Sequence, residues 1–97
     1  MSDVALHVSL KAKTEKADEL AAFLAAAQPL AQAEPATLTW YAVRLAEDHF
    51  VIFDTFADDQ GRQAHLAGPI AAALMAHADS LLAAPPEILF ADVLARK

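Results

Sequence analysis

Two side chains in the stretch DDQGRQAHLAGPIAAAL (residues 58–74) are spaced for joint chemistry: Arg62 and His65, three apart on one helical face, just ahead of Gly68-Pro69. An imidazole moves protons near neutral pH, and a neighbouring guanidinium stabilises developing negative charge. Two accounts of the pair stand side by side. In one, Arg62 pairs with Asp58 four residues back and His65 bonds a carbonyl freed by the break at Pro69. In the other, the break opens a pocket between helix and sheet, and a neutral His65 faces it as a catalytic base.

The remaining candidates are more dispersed. His7, His49 and His77 complete the set of four histidines, and none falls in an HxxxH or HExxH spacing, so no metal site is expected. His49 belongs to a hairpin tip and His7 to a strand. Trp40 and Tyr41 are adjacent and face opposite sides of a strand, so only one of them can wall a pocket; Arg44 shares the Trp40 side. Both aromatics and both arginines, Arg44 and Arg62, are candidate substrate-binding residues. Asp54 and Asp92 interrupt otherwise apolar strand faces, and each is expected to be paired at the dimer interface or placed at a strand end.

The elements that must position these residues follow from periodicity. VALHVSLKAK (residues 4–13) alternates as a strand. Thr14 offers a hydroxyl cap, and Leu20, Phe23, Leu24 and Ala27 recur at helical spacing until Pro29 weakens the helix and Pro35 closes it. TLTWYAVRLA (residues 37–46) and HFVIFDTFA (residues 49–57) form a hairpin about Glu47-Asp48. Asp58 and Asp59 cap a second helix that Gly68-Pro69 divides near Ala67, with Ile70, Ala73, Leu74, His77 and Leu81 as its apolar stripe. Pro85-Pro86 stops it, and EILFADVLA (residues 87–95) supplies a last strand. The order βαββαβ predicts an α+β, ferredoxin-like domain with two helices on one face of a four-stranded antiparallel sheet.

Composition narrows the function classes. The 97 residues suit one domain, and 57% of them are hydrophobic. Strands three and four carry apolar residues on both sides, which predicts a homodimer with the open sheet faces packed together. A net charge of −6 with only 7 Lys and Arg argues against a nucleic-acid partner. The absence of cysteine removes disulfides and thiolate chemistry. Met1-Ser2-Asp3 does not begin a signal peptide, and Gln and Pro interrupt the Ala-rich stretches well short of the roughly 20 residues a membrane span needs. A soluble, cytoplasmic protein is expected.

AEPATLTWYAVR and FVIFDTFADDQGRQAHLAGPIAAAL together resemble the antibiotic biosynthesis monooxygenase domain family, whose Glu-Pro-Gly turn, second and third strands and His-bearing helix they match. Ala36 stands where the family has Gly. The resemblance spans nearly all of residues 1–97. It implies a dimeric α/β barrel and often oxygenation of a quinol, anthrone or similar hydroxylated aromatic by molecular oxygen, with no cofactor and with His65 as base. Haem-degrading relatives pair a helix histidine with a tryptophan near the end of strand three and an asparagine on strand one. Phe56 and the LHVSL strand supply neither, so a haem role is not expected. The same fold also hosts non-catalytic small-molecule binding domains.

Overall fold

Alternation in VALHVSLK makes β1 (Val4–Lys11), and burial of Leu6, Val8 and Leu10 on one side draws it into the middle of the sheet. The computed structural model describes residues 3–97, so the expectation drawn from Met1-Ser2 lies outside the described residues. The remaining elements are α1 (Ala17–Ala26), α2 (Gln28–Gln32), β2 (Thr37–Ala46), β3 (His49–Phe56), α3 (Asp59–Leu66), α4 (Pro69–Leu81) and β4 (Glu87–Asp92). The four strands are antiparallel in the order β2-β3-β1-β4, and each expected helix is divided in two by its proline. This is the ferredoxin-like α+β arrangement.

Three boundaries differ from expectation. Thr14 does not cap α1: Thr14 and Glu15 form a turn, Glu15 at φ 69, and the helix starts at Ala17 without a side-chain cap. The last strand ends at Asp92, leaving Leu94 outside it and exposed. His77 falls off the buried stripe of α4, which keeps Ile70, Leu74 and Leu81 inside; the His77 ring lies exposed beside Phe23.

Register fixes the two faces. Leu6↔Asp54, Val8↔Ile52 and Leu10↔Phe50 are opposed between β1 and β3, and Trp40↔Asp54 and Arg44↔Phe50 between β3 and β2. These side chains lie under the helices, where Leu6, Leu10, Leu20, Phe56 and Leu81 are almost wholly buried. Each such burial contributes about 2 kcal/mol. On the other face Tyr41, Phe53, His7 and Leu89 form one row across all four strands. Tyr41 (58%), Leu89 (50%) and Phe53 (37%) of that row are exposed, so one copy of the chain leaves this face largely uncovered. Among the described residues no helix is long and apolar enough to cross a membrane.

Candidate functional site

Asp54 is neither at the open sheet face nor at a strand end, because strand alternation puts it in the row of Phe50, Ile52 and Phe56, under the helices, where it is fully buried. A carboxylate there must find a partner, because an isolated buried charge is prohibitively costly. The partner comes from α3. Asp58 caps that helix by accepting a hydrogen bond from the Gly61 amide at 2.9 Å, which sets its phase so that Gly61 and His65, one turn apart, both face inward. Gly61 also lets α3 approach the next turn of chain, since a Cβ there would meet Ala36 Cβ at 3.2 Å.

His65 is 7% exposed and lies between two acids. Its Nδ1 is 2.7 Å from Glu34 Oε1, and its Nε2 is 2.9 Å from Asp54 Oδ2. The first contact is a well-formed hydrogen bond; the second is an ion pair at hydrogen-bond distance but without hydrogen-bond alignment. Thr37 Oγ1 donates to Glu34 Oε1 at 2.7 Å, and the Phe56 ring lies 5.4 Å from the imidazole. Gly68 makes room for this trio: a Cβ there would stand 3.3 Å from Glu34 Oε2.

Burial works against a charged imidazole, but the close carboxylates of Asp54 and Glu34 outweigh it and raise the His65 pKa above its usual 6.5. The imidazole expected to face a pocket is held instead with an acid at each nitrogen, an arrangement that favours its protonated form. Neither Glu34 nor Asp54 is a candidate on spacing alone; the signals were the Glu-Pro turn and an acid in a core-facing strand row.

At the Gly68-Pro69 break the space beside α3 is taken by the Glu34 carboxylate, 3.3 Å from where a Gly68 Cβ would stand. An apolar cleft lies between α1 and the sheet-edge strand β2, with a volume of ≈ 370 Å³. Ala21, Leu24, Trp40, Arg44 and Phe50 line it, together with Tyr41, whose ring is turned to the open face. The Arg44 guanidinium stands 5.0 Å over the Phe50 ring, donates to the Glu47 carbonyl at 2.8 Å and pairs with exposed Asp18 at 3.3 Å. Trp40 also borders a smaller cleft of ≈ 120 Å³ beside Thr37 and Thr39. His65 lines neither.

Arg62 joins neither the cleft nor His65. Asp58 is occupied as the helix cap, so Arg62 pairs with Asp59 at 2.9 Å; it also donates to the Ala5 and Ala91 carbonyls at 3.2 Å and stacks 4.6 Å over Phe90. It pins α3 to the sheet. His49 Nε2 is 2.8 Å from Ser9 Oγ on the open face. Among the described residues no group of three or more His, Asp or Glu side chains is arranged to hold a metal ion.

No family profile and no curated protein matches the chain. Solved structures do. A protein of unknown function from Nitrosomonas europaea is 52% identical, with 100% of this chain and 94% of that one covered at a TM-score of 0.97. A candidate antibiotic biosynthesis monooxygenase from Caulobacter crescentus is 21% identical over 97% of this chain and 92% of that one, at 0.81. A second candidate of that kind, from Nitrosomonas europaea, is 16% identical over 95% and 90%, at 0.83. The last two share the fold.

Proposed function

We propose that this chain, which belongs to one family with the Nitrosomonas europaea protein of unknown function and has the fold of antibiotic biosynthesis monooxygenases, is a cofactor-independent monooxygenase of a small hydroxylated aromatic. The observation that carries this reading is the α1–β2 cleft, apolar along most of its wall and bearing the Arg44 cation beside the Trp40 and Phe50 rings. Such a cleft binds a flat ring and favours its phenolate over its phenol.

The chemistry needs little else from the protein. Once its hydroxyl loses a proton, the electron-rich ring can itself reduce molecular oxygen. For a quinol, one oxygen atom enters the ring, the other leaves as water, and the substrate supplies all four electrons as it becomes a hydroxyquinone. The protein holds the ring, excludes water and takes the proton. Trp40 and Tyr41 border the ring's seat and Arg44 stabilises the phenolate oxygen, while His65, the proposed base, lies outside the cleft between its two acids. Arg62 secures α3 at a distance from the cleft.

The open sheet face supports a homodimer. Its row of Tyr41, Phe53, His7 and Leu89 suits a second copy of the same face, which a two-fold axis supplies without new sequence. The position of His65 outside the cleft favours a second reading, a dimeric small-molecule binding domain without catalysis. Oxygen uptake with a panel of quinols, anthrones and catechols separates the two. Uptake that falls in His65→Ala supports the enzyme; binding without uptake by any member supports the binding domain.

A further inference from the structure

Two histidines meet the sheet from opposite sides and in opposite surroundings. Under the helices His65 has a carboxylate at each nitrogen. On the open side His7 stands in the middle of the apolar row, opposed by Phe53 on β3 and by Leu89 on β4. The ring is half-buried, and its Nδ1 is closed off from solvent with no partner among the described residues. Nε2 is the nitrogen left to meet whatever covers this face.

The groups around His7 do little to hold a second proton on the ring. Glu87 on β4 is the nearest acid: it opposes Ser9, so it is diagonal to His7, at about 7 Å between Cβ atoms, and no ion pair joins the two. On β3, His49 Nε2 lies 2.8 Å from Ser9 Oγ. Further along β1, Lys11 pairs with Asp48 at 3.2 Å. Tyr41 stands two strands away in the same row. The helices lie on the opposite side of the sheet.

The face suits a second copy of this chain in charge as well as in shape. The chain carries a net charge of −6, yet the charged residues that alternation places on this side of the strands are Lys11 and Glu87, one of each sign. Two acidic copies can therefore meet here without a like-charge patch between them.

We infer that the second copy packs over a neutral His7, so that the homodimer opens when that ring takes up a proton. This deepens the reading of the open face as a dimer contact and rests on it. A two-fold interface uses the same residue twice, so each dimer covers two imidazoles and opening it takes up two protons. An imidazolium shut between Phe53, Leu89 and a second apolar face loses its water without gaining an ion pair, whereas in a separated copy it keeps its water. Association therefore weakens as pH falls through the range in which histidines charge, about 5 to 8. The general charge of the chain acts the other way: toward its isoelectric point near 4.9 the repulsion between copies shrinks, so a loosening in acid needs a local group. His65 also acts the other way, because its proton strengthens the contacts with Glu34 and Asp54, and acid separates the copies while each stays folded.

The test is sedimentation equilibrium of the intact chain at about pH 8 and about pH 5.5, with far-ultraviolet circular dichroism at both. We expect a dimer at the higher pH, a dissociation constant about tenfold or more larger at the lower one, and an unchanged dichroism spectrum. His7→Leu, which extends the apolar row, and His7→Gln, which cannot charge in this range, should each hold the dissociation constant nearly level between the two pH values. His49→Gln and Glu87→Gln should keep the wild-type change. A level dissociation constant in the wild type, a wild-type change in both His7 variants, loss of the change in His49→Gln or Glu87→Gln, or unfolding at the lower pH would each overturn the inference while leaving the dimer in place. If His7→Leu does not fold, His7→Gln decides alone. A monomer at about pH 8 overturns the dimer reading and this inference with it.

Discussion

Glu34 and His65, 31 residues apart in sequence, meet at 2.7 Å, and through that contact the turn between α2 and β2 is tied to the last turn of α3. The contact is charged on both sides when the imidazole is protonated, so its contribution to stability depends on pH.

The direction follows from linkage. The His65 pKa is raised in the folded protein, so its ion pairs stabilise the fold fully below about 6.5, where the unfolded chain's imidazole is also protonated. That stabilisation is lost as pH rises from there through the raised folded value. Urea midpoints measured from pH 6 upward should therefore fall with pH in the wild type. His65→Gln should flatten the fall; an equal slope in both proteins would remove His65 as its source.

Asp54→Ala leaves His65 with one acid instead of two in a site screened from water. Breaking a buried pair from one side costs about 3–5 kcal/mol. Denaturant unfolding of the variant should show a loss of that size, whereas Asp59→Ala, which removes the exposed end of the Arg62 pair, should cost about 1 kcal/mol or less.

Gly68→Ala tests the packing around the same acid. The residue sits at φ −90, which any side chain accepts, so the effect is steric. An added Cβ would stand 3.2 Å from the His65 carbonyl and 3.3 Å from both the Ala64 carbonyl and Glu34 Oε2. Backbone carbonyls of a helix end give little, and a loss of about 1–2 kcal/mol in thermal or urea unfolding is expected.

These site contacts were only partly legible in the sequence. Periodicity reports which residues share a face, and it found the strands, the Pro-divided helices and the side of the sheet that Trp40 and Arg44 share. It carries no information on which helix residue lands over which strand residue. The pairing of His65 with Asp54 depends on where Asp58 starts α3, and the pairing with Glu34 on how closely Gly61 lets that helix approach Ala36. Asp54 did leave a trace, as an acid in the row of Phe50, Ile52 and Phe56. Its partner could not be read. The helix break also misled: Gly68-Pro69 looked like a device for opening space, whereas Gly68 is small because the Glu34 carboxylate fills that space.

Arg44→Gln should weaken the cleft's hold on an anion while leaving its apolar walls intact. In oxygen-uptake assays with a quinol that the wild type turns over, kcat/KM should fall about tenfold to a hundredfold, with the larger part in kcat if the cation acts on charge that develops during reaction. An unchanged kcat/KM would remove Arg44 from the proposed site.

Phe53→Lys places a charge in the middle of the open-face row. If that face holds two copies together, the substitution should weaken association by about 2 kcal/mol or more, roughly thirtyfold, and shift the sedimentation profile toward monomer. Lys97→Ala, far from the row in sequence, serves as the control. A wild type that sediments as a monomer at micromolar concentration would rule out the dimer itself.

The bridge from Glu34 through His65 to Asp54 also bears on how the molecule breathes. One side chain joins the turn after α2, the last turn of α3 and a central strand, so α3 cannot lift away by itself without stranding two carboxylates in an apolar layer. Its inner amides should consequently exchange with deuterium at rates close to those of β1 and β3, as one cooperative unit with the sheet, while the fraying N-terminal turn of α1, which lacks a side-chain cap, exchanges far sooner.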